Sequence, residues 1–132
     1  MRERYYTLEE ANATLPWLEE LLASMVPIRD SLERQQIEVM SMMQNRRGNG
    51  AASHDQEIED SQKTMANLAQ QLRQDLQEIT DRGIIVRDVV RGLVDFPSQR
   101  EGGTIFLCWL RGESQIEFWH GTDEGYGSRK PL

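Results

Sequence analysis

The stretch Thr104 to His120, TIFLCWLRGESQIEFWH, decides the fold. Ile105, Leu107 and Trp109 fall on one side of a period-two pleat, and Phe106, Cys108 and Leu110 on the other. A strand with no polar face belongs in the middle of a sheet, covered on both sides. Arg111-Gly112-Glu113-Ser114 carries turn residues, so the spacing predicts a tight reversal and a return strand over Gln115 to His120.

Upstream, Ile84-Ile85-Val86 is β-branched and apolar, and Gly92-Leu93-Val94-Asp95-Phe96-Pro97 reads as a second short strand that Pro97 ends, because proline cannot donate to a ladder. Ser98 to Gly103 is expected to be a loop. The tail from Gly121 to Leu132, with its glycines and Pro131, is expected to be irregular.

Before Gly83 the period is helical. Thr7-Leu8-Glu9-Glu10 has the spacing of a capping box, and Leu8, Ala11, Leu15, Leu18, Leu22 and Met25 follow at alternating steps of three and four. The seam resumes at Ile28, Leu32, Gln35, Val39 and Met42 after a slip in phase beside Pro27, where a bend is expected. Pro16 is a second interior proline. Asn45 to Ser53 is rich in breakers and predicts a loop, and a second helix opens near Ser53 or His54 with acidic first turns. Its seam is Ile58, Gln62, Met65, Ala69, Leu72, Leu76 and Ile79, and Gly83 is a fitting stop. Folded back at the loop, the helices bring Leu22 toward Ile79, Ile28 toward Leu72 and Leu32 toward Ala69. The expectation is an α+β single domain over 1–132. A coiled-coil-like antiparallel two-helix hairpin spans 7–82, and a small antiparallel sheet of three or four strands spans 83–132. The first turns of helix 1, with Tyr5, Tyr6, Leu8, Leu15 and Trp17, are the natural cover for that sheet.

Composition narrows the function. At 132 residues the chain suits one domain, and 22 acidic against 15 basic side chains give a net charge of −7, which repels a phosphate backbone. Nucleic-acid binding is not expected; Arg46-Arg47 is read as a solvated loop tip. No run approaches the roughly 18 apolar residues of a membrane span, and MRERYYTLEEAN has charges where a signal peptide needs apolar residues. The lone Cys108 cannot form an intrachain disulfide and suits a reducing compartment. A soluble cytoplasmic protein is expected, without a membrane partner. There is no GxxxxGK[ST], dinucleotide fingerprint or HExxH, so no cofactor is expected.

Several stretches carry a family likeness: YTLEEAN at Tyr6 to Asn12, Leu15-Pro16, GLVDFP at Gly92 to Pro97, LCW with GE at Leu107 to Glu113, and IEFWH with the tail from Ile116 to Leu132. They resemble the uncharacterised bacterial family catalogued as domain of unknown function twenty-two-zero-three, some of whose members are labelled division-initiation proteins. The resemblance implies small cytoplasmic proteins with a helical N-terminal half and carries no activity, substrate or catalytic residue. The tail departs from the family pattern in placing Ser128 between Gly127 and Arg129.

The notable polar residues gather in the β half. Asp95 interrupts an apolar strand, and a carboxylate there is either exposed at an edge or held by a donor, with Arg129 or Arg91 as candidate partners. The chemically sharper reading joins Asp95, His120 and Asp123, with Glu113 as a further candidate, as an acid/base set. Asp95, His120 and Asp123 are also the candidate ligands for a metal ion. A hydrogen bond between His120 and Asp123 would orient such a base, but no activated nucleophile accompanies it, since Cys108 in an apolar run is unreactive. Arg129, Asp88, Glu117 and Trp119 are assigned interaction or structural roles. The residues therefore leave two readings. One, which the fold and composition favour, is a noncatalytic interaction protein that forms a homodimer or meets another protein through its hairpin. The other is a small enzyme or ion-binding domain with its site at the sheet end.

Overall fold

The apolar strand lies where its pattern requires. In a computed structural model that describes residues 4–49 and 55–132, without the side chains of 46–49, β3 (Gly103–Leu110) is the middle strand of an antiparallel sheet. The order is β1 (Ile85–Asp88), β2 (Leu93–Arg100), β3, β4 (Phe118–Gly121) and β5 (Lys130–Pro131), so each strand neighbours the next in sequence. Two helices precede it, α1 (Leu8–Asn49) and α2 (Asp55–Asp81), giving the expected α+β architecture.

The capping box closes as predicted: Thr7 N–H donates to Glu10 Oε1 at 2.9 Å, and Glu10 N–H to Thr7 Oγ1 at 3.1 Å. Helix α1 runs as one element through Pro16 and Pro27 and on to Asn49, so Asn45 to Asn49 are helical where a loop was expected. The rest of that loop, with the Arg46 and Arg47 side chains and the expected start of α2 at Ser53 or His54, lies outside the described residues. Gly83 ends the second helical segment at a φ of 80°, with its N–H on Thr80 O.

The described chain falls into two compact units. One is Ser24–Asp75, the distal part of both helices, where Val39, Met42 and Ile58 form a buried cluster with Met65 against it. One seam position here differs from expectation, since Gln62 is exposed, and Asp75, off the predicted seam, is buried and accepts from Gln71 Nε2 at 3.1 Å. A second phase through Ser61, Leu68 and Asp75 shares the burial with the predicted one, as expected where a helix is covered along a broad stripe and not a narrow seam.

The other unit holds the residues up to Ala23 and Leu76–Leu132, and therefore the sheet. Val94, Phe96, Ile105, Leu107 and Trp109 are buried on one face, with the start of α1 against them. The Tyr6 ring meets Phe96 edge-on at 5.1 Å, and Ser98 Oγ donates to Tyr6 O at 2.6 Å. Leu8, assigned to the seam and the cover, is instead 40% exposed.

Four corrections concern strands. β2 does not stop at Pro97 but continues to Arg100. The N–H and C=O of a strand residue point to the same side, and Pro97 O accepts from Tyr6 N at 2.7 Å, so the missing proline N–H takes nothing from the β2–β3 ladder. Ser98 to Gly103 is accordingly not a loop: Arg100 pairs with Gly103 across Glu101 and Gly102, at φ 50° and 82°, a two-residue turn with both residues left-handed. The return strand is shorter than predicted, starting at Phe118, because Ile116 is pinned outside the ladder, buried and with its N–H on Asn12 Oδ1 at 2.8 Å. The tail contains a 3-10 turn (Tyr126–Ser128) and β5, which gives the sheet five strands.

Candidate functional site

Residues opposite each other in a ladder share a face, and the register sets Asp95 beside Cys108 and Phe106 beside His120. These side chains point away from the face covered by α1. Asp95 and His120 reach over β3 between Phe106 and Cys108, and His120 Nε2 lies 2.9 Å from Asp95 Oδ1. The other carboxylate oxygen, Oδ2, accepts from Arg87 Nε at 2.8 Å. Arg87 reaches it by strand alternation: Ile85 pairs with Asp95, and Arg87, two residues further along β1, shares that face, while the β1–β2 register shifts between Val86 and Asp88. Asp95, Cys108 and His120 are each 1% exposed. One ligand-type atom from each lies within 4.8 Å of those of the other two.

The tautomer follows from the partners. His120 Nδ1 sits 2.8 Å from Gly121 O, a carbonyl that only accepts, so Nδ1 carries a hydrogen. Nε2 then faces a carboxylate oxygen, also an acceptor, and a proton or a cation must lie between them. The thiol is not a nucleophile here: burial, reinforced by the Asp95 carboxylate, pushes the Cys108 pKa up to about 12.

Arginines and aromatic rings cover this face. The Arg87 guanidinium lies 5.3 Å from the Phe106 ring centre, and Arg129 stands 4.1 Å over Phe118 and 4.8 Å over Tyr126. Arg129 Nη2 donates to Glu113 Oε2 at 2.6 Å, while Glu113 Oε1 accepts Leu110 N–H at 2.7 Å. Burial opposes the Arg129 charge, but the bond to Glu113 and the smaller contributions of Cys108, the Glu113 charge and Tyr126 together outweigh it and raise the guanidinium pKa. A cleft of about 610 Å³ lies nearby, lined in part by Arg4, Tyr5, Ile85, Pro97, Thr104 and Phe106; Asp95, Cys108 and His120 do not line it.

The structure brings Asp95 and His120 together, as the sharper reading asked, but leaves Asp123 exposed in the turn after β4. The orienting acceptor for His120 is Gly121 O, and the residue closing that turn is Glu124, whose Oε1 accepts Gly121 N–H at 2.7 Å. Glu113 is engaged at the β3–β4 connection with Arg129, not at the Asp95 cluster, and the arginine on Asp95 is Arg87, not Arg129 or Arg91. Asp88 holds the β1–β2 turn by accepting Arg91 N–H at 3.1 Å. Glu117 is exposed and lends its carbonyl to Leu132 N–H, and Trp119 lies beneath Arg100 and Lys130 at 4.7 and 4.5 Å.

Sequence reasoning missed Arg87 and gave Cys108 only a packing role. Counting outward from a two-residue turn at Glu101-Gly102 pairs Asp95 with Cys108, so that member was open to discovery; the β1–β2 pairing, which sets Ile85 opposite Asp95 and Arg87 on the same face, has no such turn to count from.

The family described as "Uncharacterized conserved protein (DUF2203)" matches residues 4–132. The chain belongs to this family. No curated protein and no solved structure matches it. For this DUF2203 protein the site chemistry therefore rests on the geometry above. Within the described residues no helix is long and apolar enough to cross a membrane.

Proposed function

We propose that this protein is a noncatalytic interaction module of the cytoplasm that self-associates as a homodimer through the distal part of its helical hairpin. The observation that carries the reading is on α1, where Ile37, Met40 and Met43 are 68%, 60% and 41% exposed. They follow at three-residue steps and so neighbour one another along a flank, while Val39 and Met42 are buried toward α2. A two-helix hairpin leaves its outer flanks unpartnered, and a second hairpin completes a four-helix arrangement. Methionine suits such a contact because it adapts its shape, and a copy of the same chain meets its own patch in an isologous interface.

The noncatalytic part of the proposal draws on the sealed Asp95 cluster and its unreactive thiol. A single buried cysteine suits a reducing cytoplasm, and the net charge of −7 disfavours nucleic acid as the partner. Size-exclusion chromatography with light scattering is the test. Twice the chain mass is expected at micromolar concentration, and Ile37→Glu with Met40→Glu should yield a monomer with an unchanged helical circular dichroism signal. A monomeric wild-type chain would overturn the reading.

A further inference from the structure

The centre of the sheet holds two acceptors face to face with a third donor atom, a sulfur, beside them. We propose that Asp95 Oδ1, Cys108 Sγ and His120 Nε2 bind one thiophilic divalent cation, zinc in preference to others. The three atoms come from adjacent strands β2, β3 and β4 and already lie within 4.8 Å of one another. Zinc takes oxygen, nitrogen and sulfur at about 2.0–2.3 Å, which sets tetrahedral donors roughly 3.3–3.5 Å apart. His120 Nε2 and Asp95 Oδ1, at 2.9 Å, need separate by only a few tenths of an ångström. Magnesium and calcium take oxygen donors and are poorly served by a thiolate and an imidazole.

Two features beyond the donors fit the same ion. Gly121 O holds the Nδ1 hydrogen, which leaves the Nε2 lone pair facing inward, and Arg87 anchors the oxygen of Asp95 that the ion would not use. The exchange also balances in charge. The dication displaces two protons, the one between Nε2 and Oδ1 and the one on the Cys108 thiol. The buried cluster therefore carries the same net charge before and after, and ion binding adds no uncompensated charge to the interior. The three protein donors supply three of the four positions of a tetrahedral zinc.

The test uses the full chain, stripped with a chelator and titrated with cobalt(II) and then with zinc. Expected are one cobalt per chain with a thiolate-to-cobalt charge-transfer band, its loss on adding one equivalent of zinc, and release of about two protons per zinc near neutral pH. Cys108→Ser should abolish the band. Arg87→Met, which removes a positioning residue outside the donor set, should keep the band but weaken zinc binding roughly 10–100-fold. Circular dichroism establishes that each variant is folded. The wild-type result stands without the variants: a folded chain that shows no charge-transfer band overturns the proposal. So does zinc affinity equal in wild type and Cys108→Ser, which would put the ion on other groups.

Discussion

The two faces of one sheet solve the same problem in opposite ways. Toward α1, Val94, Phe96, Ile105, Leu107 and Trp109 are buried by apolar contact, which has no direction and is satisfied by any close neighbour. On the other face the intervening residues Asp95 and Cys108, joined by His120 from β4, are as deeply buried, yet two of the three are held by bonds that need particular partners at particular angles. A strand apolar on both faces is thus covered on both, once by a helix and once by arginine side chains lying over Phe106 and Phe118, whose stems shield apolar surface while their heads reach carboxylates. Depth of burial alone does not tell these faces apart; what each loses when one member is removed does.

The largest effects test that difference directly. Phe96→Ala should cost about 3–5 kcal/mol through a cavity, and Asp95→Ala about 3–5 kcal/mol because the buried His120 and the Arg87 head lose their counter-charge. The single variants match in size, so the contrast lies in repair. Replacing Arg87, Asp95 and His120 together by Met, Leu and Leu removes every unmatched polar group and should bring stability back to within about 1–2 kcal/mol of wild type. Urea unfolding followed by circular dichroism measures all three. If the triple variant is no more stable than Asp95→Ala, the polar face is required for folding and the contrast fails.

A smaller effect, spread over pH, follows from the thiol. The Cys108 pKa of about 12 in the folded chain lies above its unfolded value of about 8.5. The folded state therefore holds this proton where the unfolded state has lost it. In the chelator-treated protein the thiol's contribution is full below about pH 8.5 and declines by about 1.4 kcal/mol per pH unit as the pH rises toward about 12. Cys108→Ala should remove that part of the decline and leave the part due to Tyr6, whose hydroxyl is also raised by burial. Urea midpoints across this range would show identical slopes if the thiol were not the cause.

Much of this was legible in the residues, and the rest was hidden for physical reasons. The capping box and the apolar seam of α1 are local patterns, and they led to the right elements. So did the two-sided apolar character of β3, because a period can be read without knowing the neighbours. Pro97 misled because its cost depends on which side of the strand its missing N–H would face; the β2–β3 register turns that side away from β3 and toward Tyr6, far away in sequence. Asp95 was singled out as a polar interruption of an apolar strand and joined to His120, but their other partners, Arg87, Cys108 and Gly121 O, were not. The β1–β2 pairing that sets Arg87 on the Asp95 face and the departure of Ile116 from the ladder toward Asn12 are tertiary choices with no local period. Asp123 looked suitable by its closeness in sequence to His120, whereas Gly121 O, one residue away and invisible to a search for side chains, took the ring nitrogen.

The smallest expected effect asks whether arginines on the polar face serve as packing. Arg129 is only 9% exposed along its side chain, stands over two rings and pairs with Glu113, whose exposure is 26%. Lysine at this position keeps the charge and can still reach a carboxylate, but it offers no flat group to lie on Phe118 and Tyr126. Arg129→Lys should therefore cost about 1 kcal/mol, the size of a partly desolvated cation–π contact, seen as a shift in urea midpoint with an unchanged slope. Arg129→Met would keep much of the apolar contact but leave Glu113 half-buried without its cation, so it should cost somewhat more than the lysine variant. A neutral Arg129→Lys would mean that the charge alone matters there. The polar face would then be held by its ion pairs, with the planar stacking contributing nothing to its cover.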